Sequence, residues 1–227
     1  MARRTKAEAE QTRQRLLDAA ETLFHTQGVA RTSLHEIAQA AGATRGAIYW
    51  HFKDKADLFN AMMERGEFPL ECALRNAAEP QSDGCVMVER LCAALQVAFH
   101  ATVHDAHMRR LLEIAILKIE HVDELSSVTQ RCQEVMRRLR DLIARALEAA
   151  ASATGRRLPL PVDIAALTLL LQVDGLISNW LLDPADFDLE QVGRLAIENH
   201  LRGLGFALPD TTSAGATPDS IQAWVSA

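Results

Sequence analysis

Several things are scarce in this chain, and each scarcity removes a class of function. Its 227 residues hold four cysteines, Cys72, Cys85, Cys92 and Cys132, with no CxxC pair and no regular spacing. That argues against a cysteine-based zinc module and against a disulfide framework and fits a reducing compartment. No GxSxG elbow and no phosphate-cradling glycine loop occurs, so neither acyl-enzyme chemistry nor nucleotide hydrolysis is expected, and no cofactor is implied. The first fifteen residues, MARRTKAEAEQTRQR, lack the apolar run of a signal peptide. No apolar run looks long enough to cross a bilayer without polar interruption, so a soluble cytoplasmic protein without a membrane partner is expected. Period-two alternation is also missing, which leaves helices as the building material.

What is present is helical periodicity interrupted by polar breaks. Apolar residues recur at helical spacing over about Thr12 to Gln27, then in two short segments up to Phe52, and then along a fourth helix starting near Lys55. Further segments follow at Val86 to Val103, Met108 to Ile119, Leu125 to Ala150, Val162 to Leu182 and Leu189 to Leu204. About nine helices are expected, an all-α fold. Pro69 lies inside the fourth helical pattern and should kink or break it near Phe68. The polar residues 1–11, with Arg3, Arg4 and Lys6, suggest a flexible arm, and the small and polar residues 209–227 a disordered tail despite Trp224.

Charge divides unevenly along the chain. Overall the formal charge is −6, but residues 1–55 hold nine Lys and Arg against six Asp and Glu. The basic end coincides with the most informative stretch, RTSLHEIAQAAGATRGAIYWHFKDK. There Thr32 or Ser33 can cap a helix, Glu36 completes a capping box with Ser33, Gly42 ends that helix, and Thr44 caps the next. In the second short helix Ile48 and Phe52 face inward. Arg45, Gly46, Tyr49 and Trp50 share roughly 140° of arc on another side, at about 100° per residue. A cation, a glycine and two aromatics suit a helix lying in a DNA major groove, where they supply a bidentate donor, a close backbone approach and rings against phosphates and thymine methyls.

These residues resemble the N-terminal domain of the TetR family of bacterial transcriptional repressors, from about Arg13 to Phe59. The later segments RRLLEIAILKIEHVDEL and DGLISNWLLDPADFDL more loosely resemble the branch that represses multidrug efflux pumps. The resemblance implies a three-helix DNA-binding head over 1–55 and a larger helical body for ligand binding and dimerisation over 56–208. It implies double-stranded operator DNA as partner, contacted through Thr32, Ser33, Thr44, Arg45, Gly46, Ala47, Tyr49, Trp50, His51 and Lys55. Arg45 should read a guanine edge, while Thr32, Tyr49, His51 and Lys55 should hold phosphates.

Efflux-pump repressors also imply a hydrophobic small-molecule inducer in a cavity lined by Met63, Glu67, Leu70, Phe99, Leu112, Ile116 and Gln130. Relatives tend to carry polar residues or histidine where this chain has Leu112, Ile116 and Leu117, so its cavity should be greasier. The stretch IAALTLLLQVDGLISNWLL is apolar around most of its circumference. A homodimer interface is expected there and on the last helix, through Leu176, Ile177, Trp180 and Leu195. Gln172, Asp174, Ser178 and Asn179 interrupt that stretch and need polar partners. His100, His104 and His107 recur at helical spacing, but without a fourth ligand they are read as surface residues and no metal is expected. Two alternatives remain open: regulation of a metabolic or lipid operon, and a helical metal or redox sensor.

Overall fold

A computed structural model describes residues 6–66, 68–79, 83–119 and 126–208. Within them the chain is all helix: α1 (Lys6–Gln27), α2 (Leu34–Ala40), α3 (Arg45–His51), α4 (Lys55–Arg65), α5 (Pro69–Ala77), α6 (Gly84–His104), α7 (Ala106–Leu117), α8 (Ser126–Ala153), α9 (Val162–Leu182) and α10 (Leu189–Gly203). That is ten among the described residues rather than nine. The extra helix comes from Pro69, which cannot continue α4 because it lacks an N–H donor and instead occupies the first turn of α5. Glu67, residues 1–5 with Arg3 and Arg4, and the segment 209–227 lie outside the described residues.

One expectation about the N-terminus needs correcting. Helix α1 begins at Lys6, well before Thr12. Lys, Ala, Glu and Gln are good helix formers, and Gln14 donates to Glu10 at 2.7 Å while the Thr12 hydroxyl donates to the Glu8 carbonyl at 2.8 Å. Polarity marks this stretch as solvated, but it does not disfavour a helix.

The chain gathers into two compact units, 1–67 with 107–134, and 68–106 with the residues from 135 onward. In the first, Leu16, Leu17, Ala20 and Phe24 of α1 meet Ile37 and Ala38 of α2, Ile48 of α3, and Leu58, Phe59 and Met62 of α4. Leu111 and Ile114 of α7 and Val128 of α8 complete the same core. The expected boundary after residue 55 therefore falls at the first residue of α4, inside a single core.

The second unit packs α6 against α5, α9 and α10. Two close approaches set its geometry. A Cβ on Gly193 would lie 2.3 Å from the Phe99 ring, and one on Gly84 would lie 2.9 Å from the backbone of Ala153 and Thr154. Only glycine lets these segments meet at such distances. Contrary to expectation, α6 and α9, both 21 residues long, are apolar enough to pass for membrane spans by length and composition. Helix α6 spends that character on the core, burying Leu91, Leu95 and Phe99 among others.

Candidate nucleic-acid interface

The helix pair α2–α3 is assembled by local chemistry. Ser33 accepts from the Glu36 N–H while the Glu36 carboxylate accepts from the Ser33 N–H at 2.8 Å, a complete capping box. The Ser33 hydroxyl and backbone hold the Glu36 carboxyl below the usual carboxylate range. Gly42 takes φ +62°, a left-handed turn that would strain any side chain. Thr44 then accepts from the Ala47 N–H at 3.2 Å and opens α3.

Ile48 anchors α3 in the core at 0% exposure, leaving the opposite face in solvent. Trp50 is 72% exposed and Tyr49 51%. The Arg45 guanidinium sits 5.9 Å from the Tyr49 ring centroid, and Trp50 meets His51 edge-on at 4.6 Å. A Cβ on Gly46 would meet nothing within 4 Å, so the backbone there is open to an incoming surface. Ala47 and His51 are partly buried flanks of this face. Exposed aromatics beside a cation on a helix capped by Thr44 and anchored by Ile48 form a surface suited to a polyanion with stacked, methyl-bearing edges.

Two expected phosphate contacts are turned inward instead. Thr32 is 1% exposed and its hydroxyl donates to the Gly28 carbonyl at 2.8 Å. Lys55 is 7% exposed and its ammonium donates to the Ala30 carbonyl at 2.9 Å, tying α4 to the turn before α2. The signal for Lys55 was present in the sequence: it lies three residues before Leu58 and seven before Met62, on the buried face of α4. Lys53, two residues past the end of α3, is exposed. The hydroxyls of Ser33 and Thr44 are occupied as caps, though both residues remain at the surface.

Family models match both parts of the chain: the tetR family of bacterial regulatory proteins over residues 16–62, and the C-terminal region of MAATS-type transcriptional repressors over 86–206. The chain belongs to the TetR family. It is 41% identical to the transcriptional regulator AcrR of Shigella flexneri, over 86% of this chain and 89% of AcrR. It is 40% identical to TtgR of Pseudomonas putida, over 83% of this chain and 89% of TtgR. Among solved structures it resembles NalD, the secondary repressor of the MexAB-OprM multidrug efflux pump in Pseudomonas aeruginosa, at 32% identity and a TM-score of 0.77, covering 90% of this chain and all of NalD. As a TetR-family regulator it is a transcription factor rather than an enzyme, and the exposed face of α3 is carried by the family's helix-turn-helix.

The remaining expected residues fall in scattered places. Met63 is partly buried against the first unit's core, and Leu112 and Ile116 are half-buried on α7. Gln130 is exposed and Leu70 half-buried. Phe99 is fully enclosed, with its ring edge against Gly193, and offers no surface to a ligand. Ile177 and Trp180, expected at a dimer interface, are 7% and 5% exposed inside the chain's own body, and Leu176 is half-buried. The outward face of α9 carries Ile164, Leu171 and Leu182, at 42%, 53% and 70% exposure. Val192 and Leu195 project likewise from α10.

The cysteines are all free, and burial pushes the Cys92 thiol up to about 12, aided by Glu198. A buried thiol held protonated packs as a small apolar side chain. His107 leaves the histidine triplet and meets the buried Glu21 carboxylate at 3.2 Å, which also receives Arg65 at 3.0 Å.

Proposed function

We propose that this chain represses a multidrug efflux-pump operon, binding a palindromic operator as a homodimer and releasing it when a hydrophobic small molecule enters the C-terminal body. The observation that carries the reading is the likeness, over about nine-tenths of the chain, to NalD, a repressor of such a pump. Paired α3 helices set about 34–36 Å apart would engage successive major grooves. Arg45 reads a guanine edge, while Tyr49, Lys53 and His51 hold phosphates. The subunits join through the aliphatic row of Ile164, Leu171 and Leu182, with Val192 and Leu195.

Carrying a ligand's arrival to the head as one continuous rod is not open to α4, which ends at Arg65. Helix α7 suits the task better. Its Leu111 and Ile114 sit in the head's core, and Glu113 meets His25 of α1. The Val29 N–H donates to the Lys118 carbonyl at 3.0 Å, just beyond α7. Leu112 and Ile116 leave the same helix on another side, so a ligand pressing on them moves α1 and with it the head. Glu67, when ionised, favours inducers bearing a cation. In α9, burial raises the Asp174 carboxyl, and the Gln172 side-chain oxygen finds no hydrogen-bond partner among the described residues. Buried polar groups of this kind need a partner.

The inducer must bind the displaced state better, with a coupling of about 1–3 kcal/mol, or roughly 5- to 150-fold in operator affinity. Operator titrations with and without an uncharged phenol and a cationic dye test this, alongside Glu67→Gln. Operator affinity indifferent to every ligand that calorimetry shows to bind would defeat the release mechanism. A metabolic operon beside the gene, with no divergent pump operon, would defeat the efflux assignment.

A further inference from the structure

The second compact unit contains a side-chain cluster that repression leaves unused. His100 and His104 stand one turn apart near the end of α6, on the face that α10 approaches. The close contact of Gly193 with Phe99 holds α10 against α6, and one turn before that glycine Glu190 reaches both imidazoles. Its Oε1 lies 2.8 Å from His100 Nδ1 and its Oε2 2.9 Å from His104 Nε2. The two rings are 4.4 Å apart between centroids. One ligand atom from each residue can be chosen so that all three lie within 4.8 Å of one another. The side chains are 36%, 54% and 38% exposed, so an ion can reach them and water can complete its shell.

We propose that His100, His104 and Glu190 form a Zn²⁺ site that fastens the start of α10 to the end of α6. Two imidazoles and a carboxylate, with no thiolate, suit a borderline divalent cation. Zinc imposes no geometry of its own through its filled d shell and binds nitrogen at about 2.0–2.1 Å and carboxylate oxygen at about 2.0–2.2 Å. At those bond lengths neighbouring ligand atoms of a tetrahedral shell stand about 3.4 Å apart, so the present nitrogen–oxygen contacts open by about half an ångström and any pair near the 4.8 Å limit draws in, within the torsional freedom of half-exposed side chains. Both histidines would bind neutral, so metal uptake weakens as pH falls. The third histidine of the sequence triplet, His107, takes no part.

The test uses untagged, chelator-treated full-length protein and ZnCl₂, followed by calorimetry and thermal denaturation, with Co²⁺ absorption to report the ligand type. One equivalent per chain should bind with a raised Tm. His104→Asn and Glu190→Gln should each weaken binding by more than about 100-fold, beyond what losing an outer hydrogen-bond partner of a ligand costs, with helical circular dichroism unchanged. Cys72→Ser/Cys85→Ser, which removes two exposed thiols, should bind like the wild type. The proposal is overturned by absent saturable binding in the wild type, by binding that survives Glu190→Gln and His104→Asn, or by cobalt–thiolate absorption that disappears with the cysteines.

Discussion

Trp50 on α3 and Leu182 on α9 are almost equally exposed, at 72% and 70%, yet their surroundings suit them to different partners. Around Trp50 stand Tyr49, His51 and the Arg45 guanidinium, on a seven-residue helix capped by Thr44. Along α9, Leu182 is followed back at helical spacing by Gly175, Leu171 and Ile164. The first face joins positive charge to π surface and polar edges, which a phosphate-lined groove can satisfy. The second is a plain aliphatic row, best satisfied by another such row. Exposed apolar area alone therefore identifies a docking surface but not its partner; the charges beside it decide that.

The largest expected effect would break the second face. Leu171→Arg should give monomers by light scattering and lower operator affinity by about 10²- to 10⁴-fold through lost avidity, with the helix content intact. Ile177→Arg, buried in the chain's own body, should instead unfold the protein. A Leu171→Arg protein that remains dimeric would move the interface off this row.

Gly193→Ala should cost about 1–3 kcal/mol by overpacking, read as a lowered Tm, because the new methyl would meet the enclosed Phe99 ring. The head sharpens the comparison next. Arg45→Ala should lose about 1–3 kcal/mol of preference at one base position of each half-site. Lys53→Ala should weaken all sequences alike and reduce the salt slope by about one. Lys55→Ala, with its ammonium tied to Ala30, should lower stability and leave the salt slope unchanged. If Lys55→Ala flattens the slope as Lys53→Ala does, the ammonium swings outward on DNA.

The smallest effect is local. Ser33→Ala should cost about 1 kcal/mol of thermal stability by removing the cap. Because the folded-state carboxyl of Glu36 titrates below its ordinary value of 4.5, its contribution is present above that value and lost as pH falls through the folded value. The Ser33→Ala penalty measured by denaturation should accordingly shrink in acid.

By itself the sequence determined whatever depends on neighbours along the chain. Ser33, Glu36, Gly42 and Thr44 act on backbone groups within a few residues, so the turn, both caps and the outward set Arg45, Gly46, Tyr49 and Trp50 were legible before any fold was known. The helix break at Pro69 belongs to the same class, being a property of one residue's missing N–H. Tertiary structure alone decided the phase of helices that are apolar all round. Nothing local distinguishes Ile177 from Leu171 on α9, and only the packing of α6 and α10 buries one and leaves the other in solvent. It also decided which distant polar groups meet. Glu190 lies ninety residues from His100, and no periodicity joins them; the close passage of α10 over Phe99, allowed by Gly193, does.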